Sequence, residues 1–239
     1  MRKIPKMSTN HYPIQYEFSF PGGNVEKFEL ILDEATVSLI NFNAVQRPFW
    51  AQLSHKQCKC CPLDEDKTPY CPIAVNIAEL VDRFKDRLSI EECLVKCVTP
   101  ERTYSKETSV TEGLYSILGI VMATSDCPVM SFYKPMARFH LPFSSTQETL
   151  FRSASVYLLQ QYFEHKRGQK PDLELHELGN QLKKVQQVNT GTLARIRSVS
   201  KKDADSNAII ILDSFSQILS MAIEGSLSSL EYLFPSKQG

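Results

Sequence analysis

Apolar and polar residues alternate over residues 14–20: Ile14, Tyr16, Phe18 and Phe20 are separated by Gln15, Glu17 and Ser19. A period of two is that of a half-buried strand. Pro21-Gly22-Gly23-Asn24 supplies turn chemistry, and Phe28, Leu30 and Leu32 resume the alternation. Residues 14–32 therefore predict a β-hairpin, and a short strand is expected from Thr36 to Ile40. A proline-rich stretch follows, in which Pro62, Pro69 and Pro72 exclude long regular structure. The period then changes. Ile77, Leu80, Val81, Phe84 and Leu88 lie on one face of a helix expected from Val75 to Leu88. A second hairpin is expected over Glu92–Lys106, turning at Pro100-Glu101.

Ser109-x-x-Glu112 is a capping-box pattern opening a helix from Leu114 to Thr124. That helix is apolar on all sides and should lie in the core, with Gly113 and Gly119 allowing close approach. Cys127-Pro128 ends it, and a loop through Lys134, Arg138 and His140 is expected next. Ser145-x-x-Glu148 repeats the cap for a helix running to Lys166, whose apolar stripe reads Leu150, Phe151, Ala154, Leu158 and Tyr162. Residues 168–171 read as a linker.

Beyond it the strand signal stops. Leu175, Leu178, Leu182, Val185, Asn189, Thr192, Ile196 and Val199 recur at steps of three and four, a heptad-like seam that is polar at its centre and weakened by Gly191. A last helix is expected from Ala204 to Leu233. One side carries Ile209, Leu212, Leu219, Ile223, Leu227 and Leu230, and another carries Ile211, Phe215 and Ile218. The pattern implies an α+β fold of antiparallel hairpins with packed helices over residues 1–168, including a Cys-rich loop (55–72). A C-terminal α-helical hairpin, turning near Lys201-Lys202-Asp203, covers 169–239. A helix apolar on several sides must be buried from several sides, so residues 172–233 are expected to form a homodimer or to dock on the first domain.

Charge narrows the function classes. Lys+Arg and Asp+Glu are 27 each, so no global field draws the chain to nucleic acid or to an anionic surface. The basic N-terminus has no apolar segment behind it, unlike a signal peptide, and no apolar run approaches membrane-spanning length. A cytoplasmic location follows as the expectation. In that compartment clustered cysteines hold metal or do redox chemistry more often than they form disulfides.

Such a cluster is present. His55-x2-Cys58-x2-Cys61-x9-Cys71 offers three thiols and an imidazole at spacings suited to tetrahedral zinc. Cys60 is an extra thiol that could replace Cys58. An iron–sulfur cluster is the lesser metal alternative, and thiol redox at Cys58, Cys60 and Cys61 is another. Cys127 would be a remote further ligand. Cys93 and Cys97 share a strand face with Val95 and read as small core hydrophobes.

A second constellation lies on the second hairpin, where Arg102, Tyr104 and Lys106 share one face. Together with Arg138 and His140, and with Lys134 and Arg152 nearby, they would make a basic, aromatic cleft for an anionic small molecule. Signatures of common catalytic centres (G-x-S-x-G, P-loop, G-x-G-x-x-G, H-E-x-x-H) are absent from the sequence,. The leading expectation is a zinc-stabilised regulatory or adaptor-like protein without a catalytic centre. An enzyme or sensor for an anionic ligand and a thiol redox protein are the alternatives.

The motifs Cys58-x2-Cys61-Pro62-Leu63, Tyr70-Cys71-Pro72 and Pro135-Met-Ala-Arg-Phe-His-Leu-Pro142 resemble a bacterial family of uncharacterised proteins. The resemblance runs from His55 to Phe163 and implies no activity and no residue roles.

Overall fold

A computed structural model describes residues 11–40, 47–199, 202–203, 207, 209–210, 217, 220–221 and 227–234. Strands β1 (His11–Ser19) and β2 (Val25–Asp33) form the first hairpin, with Ile14 opposite Leu30 and Tyr16 opposite Phe28. Gly23, at φ +81°, sits in the left-handed region that its turn requires,. Strands β3 (Glu92–Val98) and β4 (Thr103–Ser109) form the second hairpin. β3 also pairs with β1, giving an antiparallel sheet of order β2-β1-β3-β4.

One face of the sheet is covered. Ile14, Tyr16, Phe18, Leu30, Val95 and Cys97 are buried there, while Gln15, Glu17 and Lys27 lie on the other face, where Lys27 and Glu17 pair at 2.9 Å. This division is what period-two alternation encodes in an antiparallel sheet. Cys93 and Cys97 are buried in the core cluster, as small hydrophobes are.

Helix α1 (Pro72–Phe84) lies on the covered face, its Phe84 ring 5.0 Å from Phe18 and 5.9 Å from Phe28, centroid to centroid. It begins three residues before the expected start because proline fits a helix's first turn, where no intrahelical N–H bond is lost. It also ends before Leu88, which is exposed. Helix α2 (Val110–Thr124) is buried on nearly all sides. Ser109 caps it by accepting the Glu112 N–H at 3.3 Å. The reciprocal half of the expected box is missing, because the Glu112 carboxylate is held by Lys106 and Thr108. Gly113 is the point of close approach to the sheet. A Cβ there would collide with the Phe18 ring and stand 2.8 Å from Val95 Cγ2.

Three other elements differ from expectation. Thr36–Ile40 contributes only an isolated bridge, Leu39 to Leu32. Asp33 Oδ1 accepts the N–H groups of Ala35 and Thr36, a local turn that competes with strand extension. The expected loop at 130–140 is instead a 3-10 turn, Met130–Tyr133, followed by helix α3 (Lys134–Arg138) with Pro135 in its first turn. Helix α4 (Thr146–Lys166) carries the full Ser145/Glu148 capping box but buries a different face. Leu150, Ser153, Ala154, Tyr157 and Gln161 point inward, and Phe151, Leu158 and Tyr162 are exposed. Polar bonds select that face: Tyr157 donates to Asp172 at 2.8 Å, and Gln161 accepts the Asp172 N–H at 2.9 Å.

Helix α5 (His176–Ile196) follows the seam closely: Leu178, Leu182, Val185, Asn189, Thr192 and Ile196 are all buried. Val185, Val188, Ile196 and Ile209 share the core of the sheet, α1 and α2, while Leu178 and Leu182 form a smaller cluster with Leu150, Tyr157 and Leu230. At the expected hairpin turn the Lys202 N–H donates to the Lys85 carbonyl, and the Asp203 carboxylate accepts from Ser89. Leu227 has φ +55° and precedes a 3-10 turn, Ser228–Leu233, so no single helix runs through to Leu233. Ile211, Leu212, Phe215, Ile218, Leu219 and Ile223 lie outside the described residues. Among the described residues, no helix is long and apolar enough to cross a membrane.

Two glycine substitutions test this packing in opposite directions. Gly113→Ala should destabilise by about 1–3 kcal/mol, as overpacking does. Gly179→Ala, with nothing within 4 Å of the new carbon, should stabilise by up to about 1 kcal/mol, the helix preference of Ala over Gly. Urea unfolding of the two variants measures both.

Candidate functional site: a cavity and a thiol loop on neighbouring faces of one helix

Helices α2, α3, α4 and α5 leave a cavity of about 140 Å³ between them. Its walls are chiefly apolar: Ile120 and Met122 from α2, Met130 and Met136 around α3, and Val185 from α5. Ser116, Ser144, Thr149, Asn189, Arg152 and His140 are among the polar residues that line it. An apolar volume of this size accepts a benzene-sized body, and a mainly apolar pocket with a few polar groups is the usual form of a small-molecule site. Among the described lining residues there is no carboxylate and Arg152 is the cation at the wall, with Glu148 near it outside the lining.

Several of these polar groups are held in place by their neighbours, Ser144 and Thr149 by each other at 3.1 Å. Arg152 donates through Nη2 to the carbonyls of Met136 at 3.0 Å and Phe139 at 2.7 Å, closing the C-terminal end of α3. His140 Nε2 lies 2.5 Å from the Tyr16 hydroxyl, which rises from the central strand β1. Burial and then the Arg152 charge push the His140 pKa down to about 3. Burial, with Cys97 adding, raises Tyr16 well above its ordinary value. The pair is therefore uncharged at neutral pH. Tyr115 donates to the Ser144 carbonyl at 3.1 Å, and Ser116 accepts the Phe143 N–H at 3.1 Å, so α2 fixes the 143–144 segment.

The expected anion-binding set is only partly assembled. His140 lies in the cavity wall. Arg138 stacks on the Tyr12 ring at 3.8 Å, where Tyr12 in turn donates to Glu101 at 2.6 Å. Lys106 pairs with Glu112 at 2.8 Å, and Arg102 reaches Tyr104 at 3.4 Å. Lys134 pairs with Asp126 at 2.9 Å. The structure thus brings His140 to Arg152 and Tyr16, and of the hairpin residues Tyr104 interacts with Arg152. Nothing in local sequence links Tyr16 to His140, since sheet register and α3 together create that contact.

A neighbouring face of α5 carries the thiol loop. Arg195 is 1% exposed and donates to the carbonyls of Trp50 at 2.6 Å, Gln52 at 2.7 Å and Leu53 at 2.9 Å. Its Nε has no hydrogen-bond partner among the described residues. The signal for Arg195 in the sequence is its place in the stripe Val188–Thr192–Arg195–Val199. Gly191 does more than weaken the seam: a Cβ there would stand 2.5 Å from Cys58 Sγ, so glycine makes room for that thiol. Cys60 donates to the Lys184 carbonyl at 3.3 Å, and Cys71 caps α1 with its N–H bonded to the Ala51 carbonyl at 2.8 Å. His55 turns elsewhere, 3.3 Å from Ser198 Oγ and edge-on to Phe49.

Cys58, Cys61 and Cys71 are close enough for their charges to interact, and burial raises Cys58 to about 12. A thiol kept protonated is the opposite of a reactive thiolate, which weighs against redox chemistry at Cys58. Among the described residues, no three His, Cys, Asp or Glu side chains are arranged to hold a metal ion.

The depressed His140 pKa carries a pH prediction. The folded ring refuses a proton that the unfolded ring accepts near pH 6.5, so stability should fall as pH drops below 6.5 toward 3. Between pH 7.5 and pH 5 the loss is about 1–2 kcal/mol. His140→Gln should remove that part of the slope in urea unfolding at the two pH values.

A family model described as a domain of unknown function (DUF6901) matches residues 14–235. No curated protein and no solved structure matches the chain.

Proposed function

We propose that this chain, which belongs to the DUF6901 family, is a regulatory protein that reads a small, mainly apolar molecule carrying an anionic end. The observation that carries this reading is the cavity of about 140 Å³ with Arg152 at its wall. Methionine walls suit adaptable binding, because the thioether chain repacks easily. Chemistry on the ligand has less support. His140 is too acidic to act as a base near neutrality, and Tyr16 is too basic to give up its proton there,. Binding without turnover is the function that these groups serve, and a cytoplasmic location fits the free thiols,.

Thermal unfolding with benzoate, phenol, toluene and hexanoate tests this. At one hundred times Kd a bound probe raises Tm by about 5–10 °C for a chain of this size. The anionic probes should exceed the neutral ones, and Ala137→Leu, which fills the cavity, should abolish the gain. No shift with any of the four would sink the reading.

A second reading is that zinc orders the 55–72 loop, with iron–sulfur as the lesser alternative. It is supported by the gathered thiols and by a buried Arg195 that no carboxylate meets among the described residues. Self-association through 172–233 belongs to the same regulatory picture, supported by the exposed Ile210, Met221 and Leu233. Light scattering should give twice the chain mass, and a monomer at high concentration would refute the dimer.

A further inference from the structure

We propose that the outward face of α4 is a homodimer interface, on which a second copy of this chain packs its own α4 in antiparallel order. This surface is distinct from residues 172–233 and adds to the regulatory reading above.

Phe151, Leu158, Leu159, Tyr162 and Phe163 are between 38% and 56% exposed. At 3.6 residues per turn they share with Ser155 one stripe about 140° wide. The stripe lies opposite Leu150, Ala154, Tyr157 and Gln161, which point inward. Helix α4 is therefore apolar on both sides, and a contiguous apolar patch on a surface helix marks an interaction site. The patch continues past the start of the helix. Gln147, one turn before Phe151, donates to the Tyr232 hydroxyl at 2.6 Å, and Tyr232 and Phe234 are 65% and 66% exposed.

The order of residues along the stripe identifies its occupant. Reversed about Tyr157, the stripe matches itself: Phe151 comes opposite Phe163, small Ser155 opposite Leu159, and Glu148 opposite Lys166. That is the reciprocity of a two-fold interface, in which residue i meets j and j meets i. Charge fixes the direction. Glu148 and Lys166 are exposed at the two ends of the stripe, and the Ser145 N–H and hydroxyl hold Glu148 in its charged form. A parallel pair would set Glu148 against Glu148 and Lys166 against Lys166. The antiparallel pair sets each against its opposite and cancels the helix dipoles. Reversal also carries Lys166 and Arg167 of the second copy toward Tyr232 and Phe234, and cations favour aromatic faces. With 27 basic and 27 acidic residues, no net charge keeps two copies apart.

The test uses the full chain. Sedimentation of wild type should give twice the chain mass. Leu159→Glu and Phe163→Glu, both at exposed positions, should give monomers with the wild-type circular dichroism spectrum. Leu173→Glu, at an exposed apolar position outside α4, should stay dimeric. Lys166→Glu should weaken the dimer several-fold, and more at low salt. Zero-length carbodiimide coupling of wild type should join Glu148 to Lys166. Residues 148 and 166 lie about 27 Å apart along one helix at 1.5 Å per residue, so an amide between them spans two copies. A wild-type monomer at high concentration overturns this interface together with self-association through 172–233. A dimer that survives Leu159→Glu and Phe163→Glu and forms no such amide overturns this interface and leaves 172–233 standing. Should the Glu variants fail to fold, the coupling on wild type decides: the amide supports the α4 interface and its absence overturns it.

Discussion

A guanidinium buried among carbonyl oxygens is the contact on which the surrounding architecture depends. Removing a charge from water costs several kcal/mol unless hydrogen bonds replace its hydration, and Arg195 obtains three from the backbone of residues 50–53. That segment is thereby fastened to α5. From it the order propagates: Gln52 bridges Tyr70, the Ala51 carbonyl receives the Cys71 N–H, and α1 starts one residue later. Helix α1 in turn covers the aromatic face of the sheet through Phe84. A side chain far along the sequence thus sets where the first helix lies.

Helix α5 is also a shared wall. Val185 and Asn189 face the cavity, while Lys184, Val188 and Gly191 meet the cysteine loop. These positions interleave within two turns, so a displacement of the helix felt on one side is felt on the other. The polar centre of the seam has a physical role in this arrangement. Asn189 is buried and lines the cavity, and small Gly191 and Thr192 leave space that a continuous leucine stripe would fill.

The elements legible in the sequence were those dictated by local physics. Alternation identified both hairpins, Ser145 and Glu148 identified the start of α4, and the three-and-four spacing identified the buried face of α5. Where the outcome hinged on competition between distant groups, local pattern failed. The start of α1 was displaced by a proline that suits a first turn. The inward face of α4 was chosen by Asp172, not by Phe151, Leu158 and Tyr162. Part of the loop before His140 is helical, Lys134–Arg138, with Pro135 in its first turn. Of the candidate residues, the thiols were visible from spacing and His140 from its proline-bounded context. Tyr16, Arg152 as the cavity's cation, and Arg195 depend on tertiary approach. The family resemblance seen over 55–163 extends over 14–235.

The strand order has a bearing on how the chain assembles. β1 is flanked by β2, its neighbour in sequence, and by β3, which follows the cysteine loop and α1. The first hairpin forms at low entropic cost, but two strands alone are marginal in water. Their stabilisation waits for Ser19 to find Leu94 and Gln15 to find Val98, contacts that close a long loop and slow folding accordingly. On the ribosome, the N-terminal hairpin therefore stays an exposed aromatic ribbon until β3 has emerged. The polar outer strand β4, Thr-Tyr-Ser-Lys-Glu-Thr-Ser, then seals the finished sheet with charge and hydroxyls that discourage further pairing.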